Sequence, residues 1–196
     1  MTQKIYHTLV GQFASLPFRK IIWIVPVAFT FHEMEEWNIM PWRLDHFSNA
    51  TVISDLALRT WLVFITLIGF LWTGIACLLP TVRATGLMVF PFFVMIPFSV
   101  MIPFSNSLQH VYWQFTFEGY APAFLSCAIL NIPSVLLVSW HAGRNRLVNP
   151  IFLGTLFVLA ILYLLGTILE SQKEPAFFHE ILTFSAWLAD HLFGVT

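Results

Sequence analysis

Phe31, His32, Glu33, Met34, Glu35, Glu36 and Trp37 set one imidazole and three carboxyl groups at the end of a run that otherwise has the composition of a membrane span. Ionisable groups at bilayer depth cost about 2.5–3.5 kcal/mol apiece on insertion scales, so their presence points to function. If residues 21–40 form one helix, His32, Glu35 and Glu36 stand at i, i+3 and i+4 and share a face. Glu33 lies about 100° off the His32 direction and is the weaker member of the group. Later in the chain Asn106 and His110 are also spaced i and i+4. Two helices then present polar faces at one depth.

Four chemistries suit this set. Neutral imidazole and carboxylate are ligands for zinc, iron or manganese, so His32, Glu35, Glu36 and His110 form a candidate divalent-metal site. Asn106 and Tyr120 would orient those ligands through hydrogen bonds. A metal with an open coordination position activates water or dioxygen against an apolar small-molecule substrate arriving from the surrounding membrane lipids. Without a metal, one glutamate kept protonated by burial and a histidine or second glutamate give acid–base catalysis, as in isomerisation, hydration or cyclisation of a lipid or isoprenoid. The same groups also suit a proton or ion relay or a ligand-binding pocket. The plainest alternative is a polar cap at the lipid–water boundary, flanked by the belt residues Trp37 and Trp42.

The elements that must position these groups follow from composition. Of the 196 residues, 58% are hydrophobic and only 10% charged, which is far too apolar for an ordinary soluble domain and implies a polytopic membrane protein. A net charge of -1 leaves no basic surface for nucleic acid. Cys77 and Cys127 fall within apolar runs and read as small buried hydrophobes with no disulfide between them. There is no glycine-rich phosphate loop, Gly-x-Ser-x-Gly elbow, His-Glu-x-x-His helix or paired Cys-x-x-Cys, which argues against ATP use and serine hydrolysis.

Runs of about 20 apolar residues cover 21–40, 60–79, 86–104, 120–140 and 148–169, predicting an all-α bundle of five transmembrane helices. The uncharged part of the first, residues 21–31, rises only about 16 Å against a hydrocarbon core of about 30 Å, which draws His32 and the glutamates into the membrane. Residues 1–20 read as an interfacial lead-in, 21–169 as the bundle, and 170–196 as an amphipathic C-terminal helix, with a sixth span as the alternative. That last helix is expected to bury a stripe of Phe177, Ile181, Phe184, Leu188 and Leu192. The first apolar run ends in acidic residues, not at a small-residue cleavage site, so it should stay attached. Lys4, Arg19, Lys20, Arg83, Arg144 and Arg146 on one side outnumber Arg43, Arg59 and Lys173 on the other, which predicts a cytoplasmic N-terminus in a plasma or inner membrane. The opposite face then holds the His and Glu cluster, with Glu118, Glu170, His179 and Glu180 either at its rim or at a plain interface, while His7, His46 and His141 read as solvated.

The third run carries a repeat in which Pro91, Pro97 and Pro103 recur every six residues. Each proline removes a backbone donor, so this helix is expected to be kinked or partly unwound, either to shape a cavity wall or with packing consequences only. No Lys or Arg lies within a predicted span, and Arg43 and Arg59 are the nearest cations to the carboxyl cluster.

His32-x-x-Glu35-Glu36, Pro41-Trp42, Asn106-x-x-x-His110, and Tyr120-Ala121-Pro122 followed by Pro133 together resemble the HXXEE family of small multi-pass membrane proteins. The resemblance spans residues 21–140 and implies a membrane location and a shared polar site, with no established activity attached. The family pattern continues Tyr-x-Pro-Gly; Ala123 stands at the glycine position, which argues against a left-handed backbone there.

Overall fold

The computed structural model describes residues 16–79, 82–85, 88–90, 92–169, 173–174 and 176–194. Most of the predicted lead-in, with His7, and Glu170 lie outside them.

The architecture is helical. It runs α1 (Phe18–Ile21), α2 (Ile24–Glu35), α3 (Met40–His46), α4 (Asp55–Leu78), α5 (Phe92–Ser99), α6 (Ser105–Thr116), α7 (Phe124–Ser126), α8 (Ile132–Arg144), α9 (Pro150–Leu169) and α10 (Ala176–Phe193). A two-stranded antiparallel ribbon, β1 (Val82–Thr85) with β2 (Met88–Phe90), joins α4 to α5. The third predicted span therefore loses its first residues to the ribbon.

Three stretches are long and apolar enough to cross a membrane among the described residues: Asp55–Leu78, Phe124–Arg144 and Pro150–Leu169. A count of five is not reached on that measure. The first run misses it because its helix is broken: α2 has 12 residues, rises about 18 Å, and stops at Glu35, and a turn intervenes before α3. The third misses it because β2 takes its start and the helix after it changes pitch. Residues Val100–Phe104, around Pro103, are π-helical, and a second π segment, Cys127–Asn131, precedes α8. Such segments relieve lost i to i−4 bonds and are frequent at functional sites. Ser107 Oγ donates to the Pro103 carbonyl at 2.6 Å and Ser99 Oγ to Met95 at 2.9 Å, which satisfies backbone acceptors inside the bundle.

α2 packs against α4, with Pro26 against Gly69 and Trp23 against Gly74. On its other side α2 meets α7, the second π segment and α8. α9 packs on the first π segment and α6. Ile22, Ile96, Val100, Val135, Val138 and Ala160 are fully buried where these elements meet. Outward faces are apolar as well: Leu71, Ile151 and Leu169 are exposed, which suits a lipid surrounding.

α10 packs along α4. Leu182 joins Leu58 and Leu62 in a buried cluster, and the Phe184 ring lies 6.3 Å from that of Phe64, so α10 advances beside α4 in the same direction. Its buried stripe is Leu182, Ser185 and Ala189, while Phe184 and Leu192 are exposed. The expected stripe is thus rotated, because the small side chains of Ser185 and Ala189 allow closer approach to α4 than the aromatic face does. Both cysteines are free.

Candidate functional site

His32 is fully buried in the last turn of α2. Its ring stacks on Phe29 at 5.3 Å and meets the His110 ring edge-on at 5.0 Å. Nδ1 is 3.1 Å from Cys127 Sγ in the second π segment, and Nε2 is 2.8 Å from Asn106 Nδ2 in α6. Three elements therefore fix one imidazole. Sequence reading assigned Cys127 only a packing role and missed this contact, since nothing in its spacing ties it to His32.

His110, buried in α6, places Nδ1 2.6 Å from the Pro122 carbonyl and Nε2 2.8 Å from Glu36 Oε1. A carbonyl only accepts, so Nδ1 carries the proton and Nε2 of the neutral ring is a bare lone pair. A bare lone pair facing a carboxylate oxygen at that distance is repulsive. At this distance the contact is a hydrogen bond with a proton on the ring or on the carboxyl, or both atoms turn to one ion lying off the line that joins them. Glu36 Oε1 is also 3.7 Å from His32 Nε2, and ligand atoms of His32, Glu36 and His110 all lie within 4.8 Å of one another.

Glu35 points elsewhere. Its Oε1 accepts from the Tyr120 hydroxyl and its Oε2 from the Ser126 backbone N–H at 2.9 Å. It thus ties α2 to the start of α7, and Tyr120 orients Glu35, not a histidine. Ser126 follows Ala123, whose φ of 64° puts it in the left-handed region despite its side chain. The turn expected to be lost with the family's glycine is formed, and the strain is borne by surrounding contacts.

Glu33, the weaker member in sequence, is buried with Oε1 3.9 Å from His32 Nε2 and Oε2 without a hydrogen-bond partner. Beside it and Glu36 opens a cavity of about 740 Å³, walled largely by apolar side chains of α4, α10 and the first π segment, including Leu62, Ile102 and Ile181. The proline-rich stretch does contribute to that wall. Arg43 also lines the cavity, but its guanidinium is committed to Glu174, to which Nε donates at 2.7 Å and Nη2 more closely still. Glu174 Oε2 in turn accepts from Thr51 N and Oγ1, each at 3.0 Å. Arg59 is engaged with Asn38 at 2.8 Å and with the Trp37 ring.

Of the residues singled out by spacing, the structure brings His32, Glu36, His110 and Asn106 together and sets Glu35 with Tyr120 on the flank. The histidine read as solvated near the opposite end, His141, is buried, with Nε2 2.9 Å from the Leu16 carbonyl, because the chain entering α1 folds over it. His46 stacks on Trp42 at 4.5 Å.

The model for proteins of unknown function with an HXXEE motif matches residues 23–138, more than half of the chain. The chain belongs to the HXXEE family. No curated protein and no solved structure matches it. The HXXEE signature of this chain has two structural halves: its histidine and second glutamate meet His110 at the cavity, and its first glutamate clamps the turn that carries Ala123.

Proposed function

We propose that this HXXEE protein is an integral membrane enzyme that uses His32, Glu36 and His110 to hold a divalent transition metal and acts on an apolar small molecule from the bilayer. The observation that carries the reading is the convergence of buried donor atoms of His32, Glu36 and His110, all within 4.8 Å of one another, which is close enough for one ion to be held by all three. Two features support a metal in that place. Nδ1 of His110 is tethered to a backbone carbonyl and Nδ1 of His32 to a thiol, the outer bonding that turns Nε2 atoms inward at metal centres. Two histidines and one carboxylate are also the donor set of non-haem iron and of many catalytic zinc sites. Such an ion would supply a Lewis acid or a dioxygen-reactive centre. Metal binding at His32 Nε2 takes the lone pair that Asn106 now engages. Glu33, beside it in the cavity, is placed to accept a proton. Zinc, iron and manganese all remain compatible with these donors. The test is elemental analysis of the purified protein and of its His32→Ala and His110→Ala variants, with metal expected in the first and lost from the others.

A metal-free reading rests on the 2.8 Å approach of His110 Nε2 to Glu36. A proton shared between His110 and Glu36 makes an acid–base pair at the edge of an apolar cavity, suited to isomerisation or hydration of a lipid. Stoichiometric metal in the purified protein would displace it.

For the membrane arrangement we favour six spans. In chain order α2, Asp55–Leu78, α5–α6, Phe124–Arg144, Pro150–Leu169 and α10 make six crossings, and α10 runs alongside α4 in the same direction, as the second and sixth of six must. At about 27 Å an 18-residue helix so placed enters the hydrocarbon instead of lying on it. Both ends of the chain then face the cytoplasm, given the excess of Lys and Arg at that side. Opposite membrane sidedness of the two ends in an accessibility assay would exclude this arrangement.

A further inference from the structure

Among the described residues α9 contributes one side chain, Tyr163, to the wall of the cavity. The helix packs on the first π segment and α6, and its Phe157 ring lies 4.9 Å from that of Phe104. Tyr163 stands about 9 Å further along α9 and shares the cavity with Ser105, Asn106 and Glu36. At 37% exposure its side chain is accessible, unlike the buried imidazoles of His32 and His110. The hydroxyl has no hydrogen-bond partner among the described residues. The threonines of the same helix differ: Thr155 Oγ1 donates to the Ile151 carbonyl at 2.9 Å and Thr167 Oγ1 to the Leu164 carbonyl at 2.8 Å. A para hydroxyl stands too far from its own helix to do the same. Tyr163 also lies six residues short of the end of a stretch apolar enough to cross a membrane, where water is scarce and a hydroxyl is costly without a partner.

We propose that Tyr163 is a substrate-binding residue of the cavity, whose hydroxyl donates to the carbonyl oxygen of an uncharged long-chain lipid with its hydrocarbon between α4 and α10. A carbonyl only accepts, so it satisfies the phenol O–H and brings no donor of its own to be matched by the apolar lining, such as Leu62, Ile102 and Ile181. A pure hydrocarbon leaves the hydroxyl unpaired. The volume, about 740 Å³, is in the range that encloses most of a small-molecule ligand. Selection acts through one neutral hydrogen bond and does not depend on the charge of any carboxyl group. This inference names the substrate class of the cavity and rests on the reading that the cavity is the substrate compartment; it does not require the metal.

The experiment is equilibrium binding of tritiated methyl pentadecyl ketone and tritiated heptadecane to the full-length protein in nanodiscs, corrected for uptake by empty nanodiscs, with infrared spectra of the ketone labelled with carbon-13 at its carbonyl. Bound to wild-type protein, the ketone should show a carbonyl band lowered below its position in empty nanodiscs. Tyr163→Phe, which removes a single oxygen, should abolish the lowered band and weaken ketone binding about three- to ten-fold, with heptadecane binding unchanged. Ile65→Trp, which fills the cavity from α4 and keeps the hydroxyl, should weaken binding of both probes about ten-fold or more. A carbonyl band that is not lowered in wild-type protein, a lowered band that persists in Tyr163→Phe, or ketone affinity unchanged in that variant would overturn the proposal. If Tyr163→Phe does not fold, the wild-type band and its loss in Ile65→Trp decide. Any of these failures alongside weakened binding in Ile65→Trp overturns this inference alone, whereas binding of neither probe, or binding indifferent to Ile65→Trp, overturns the compartment reading with it. Metal content, measured on the same preparation, decides the metal reading separately.

Discussion

Glu35 and Glu36 are adjacent in the chain and turn to opposite flanks of α2: Glu36 meets His110 at the cavity, whereas Glu35 accepts from Ser126 N–H and Tyr120. Successive residues of a helix diverge by about 100°, so a motif written as two neighbouring glutamates serves two sites. Removing the Glu35 clamp should therefore affect stability before chemistry. Glu35→Gln is expected to cost about 1–2 kcal/mol, the scale of a lost charge-assisted hydrogen bond, and Tyr120→Phe about 1 kcal/mol. Metal content should stay at the wild-type level in both. Thermal unfolding in detergent alongside elemental analysis checks this, and loss of metal from Glu35→Gln would return that residue to the ligand set.

The same arithmetic explains what spacing revealed and what it did not. His32, Glu36, Asn106 and His110 could be paired in sequence because each pair is one turn apart on its own helix. Glu33 was underrated because its angle was measured from His32; measured from Glu36 it is only about 60° away, and both line the cavity. The apolar runs located α4, α9 and the Phe124–Arg144 stretch that includes α8 to within about five residues of their observed limits, but the turn after Glu35 and the ribbon before α5 have no apolar signature. The rotated face of α10 was hidden because aromatic residues read as core in a soluble frame and can equally face lipid.

The Ala123 turn gives a second test. A left-handed alanine costs about 1–2 kcal/mol relative to glycine, offset by the greater freedom glycine has in the unfolded chain. Ala123→Gly should raise stability by about 0.5 kcal/mol, and Ala123→Val, with a branched side chain at a fully buried position, should lower it substantially. A melting temperature unchanged or lowered in Ala123→Gly would argue against the left-handed geometry.

Arg43 and Glu174 form a buried ion pair that fastens the start of α10 to α3. Removing one partner leaves an uncompensated buried charge and should cost about 3–5 kcal/mol, whereas the double change Arg43→Met with Glu174→Leu should recover most of it. The single variants should also free α10 for proteolysis in detergent. A double-mutant cycle with no coupling between the two positions would contradict the pairing.

If His32, Glu36 and His110 hold a metal, protons compete with it for both imidazoles. Retention should therefore fall as pH is lowered, with more than one proton taken up per metal released, and Glu36→Gln should shift the loss to higher pH. Following metal release with a chromogenic chelator across a pH series measures this directly; release independent of pH would be inconsistent with histidine ligands.

The most direct measurement is the metal content of the intact protein, purified in mild detergent without added metal or chelator, set beside that of His32→Ala, Glu36→Ala and His110→Ala. The account requires about one zinc, iron or manganese per chain in wild-type protein and a loss of most of it in each of the three variants. Wild-type protein that is folded and active yet contains no stoichiometric metal would contradict the account and leave the proton-sharing pair in its place.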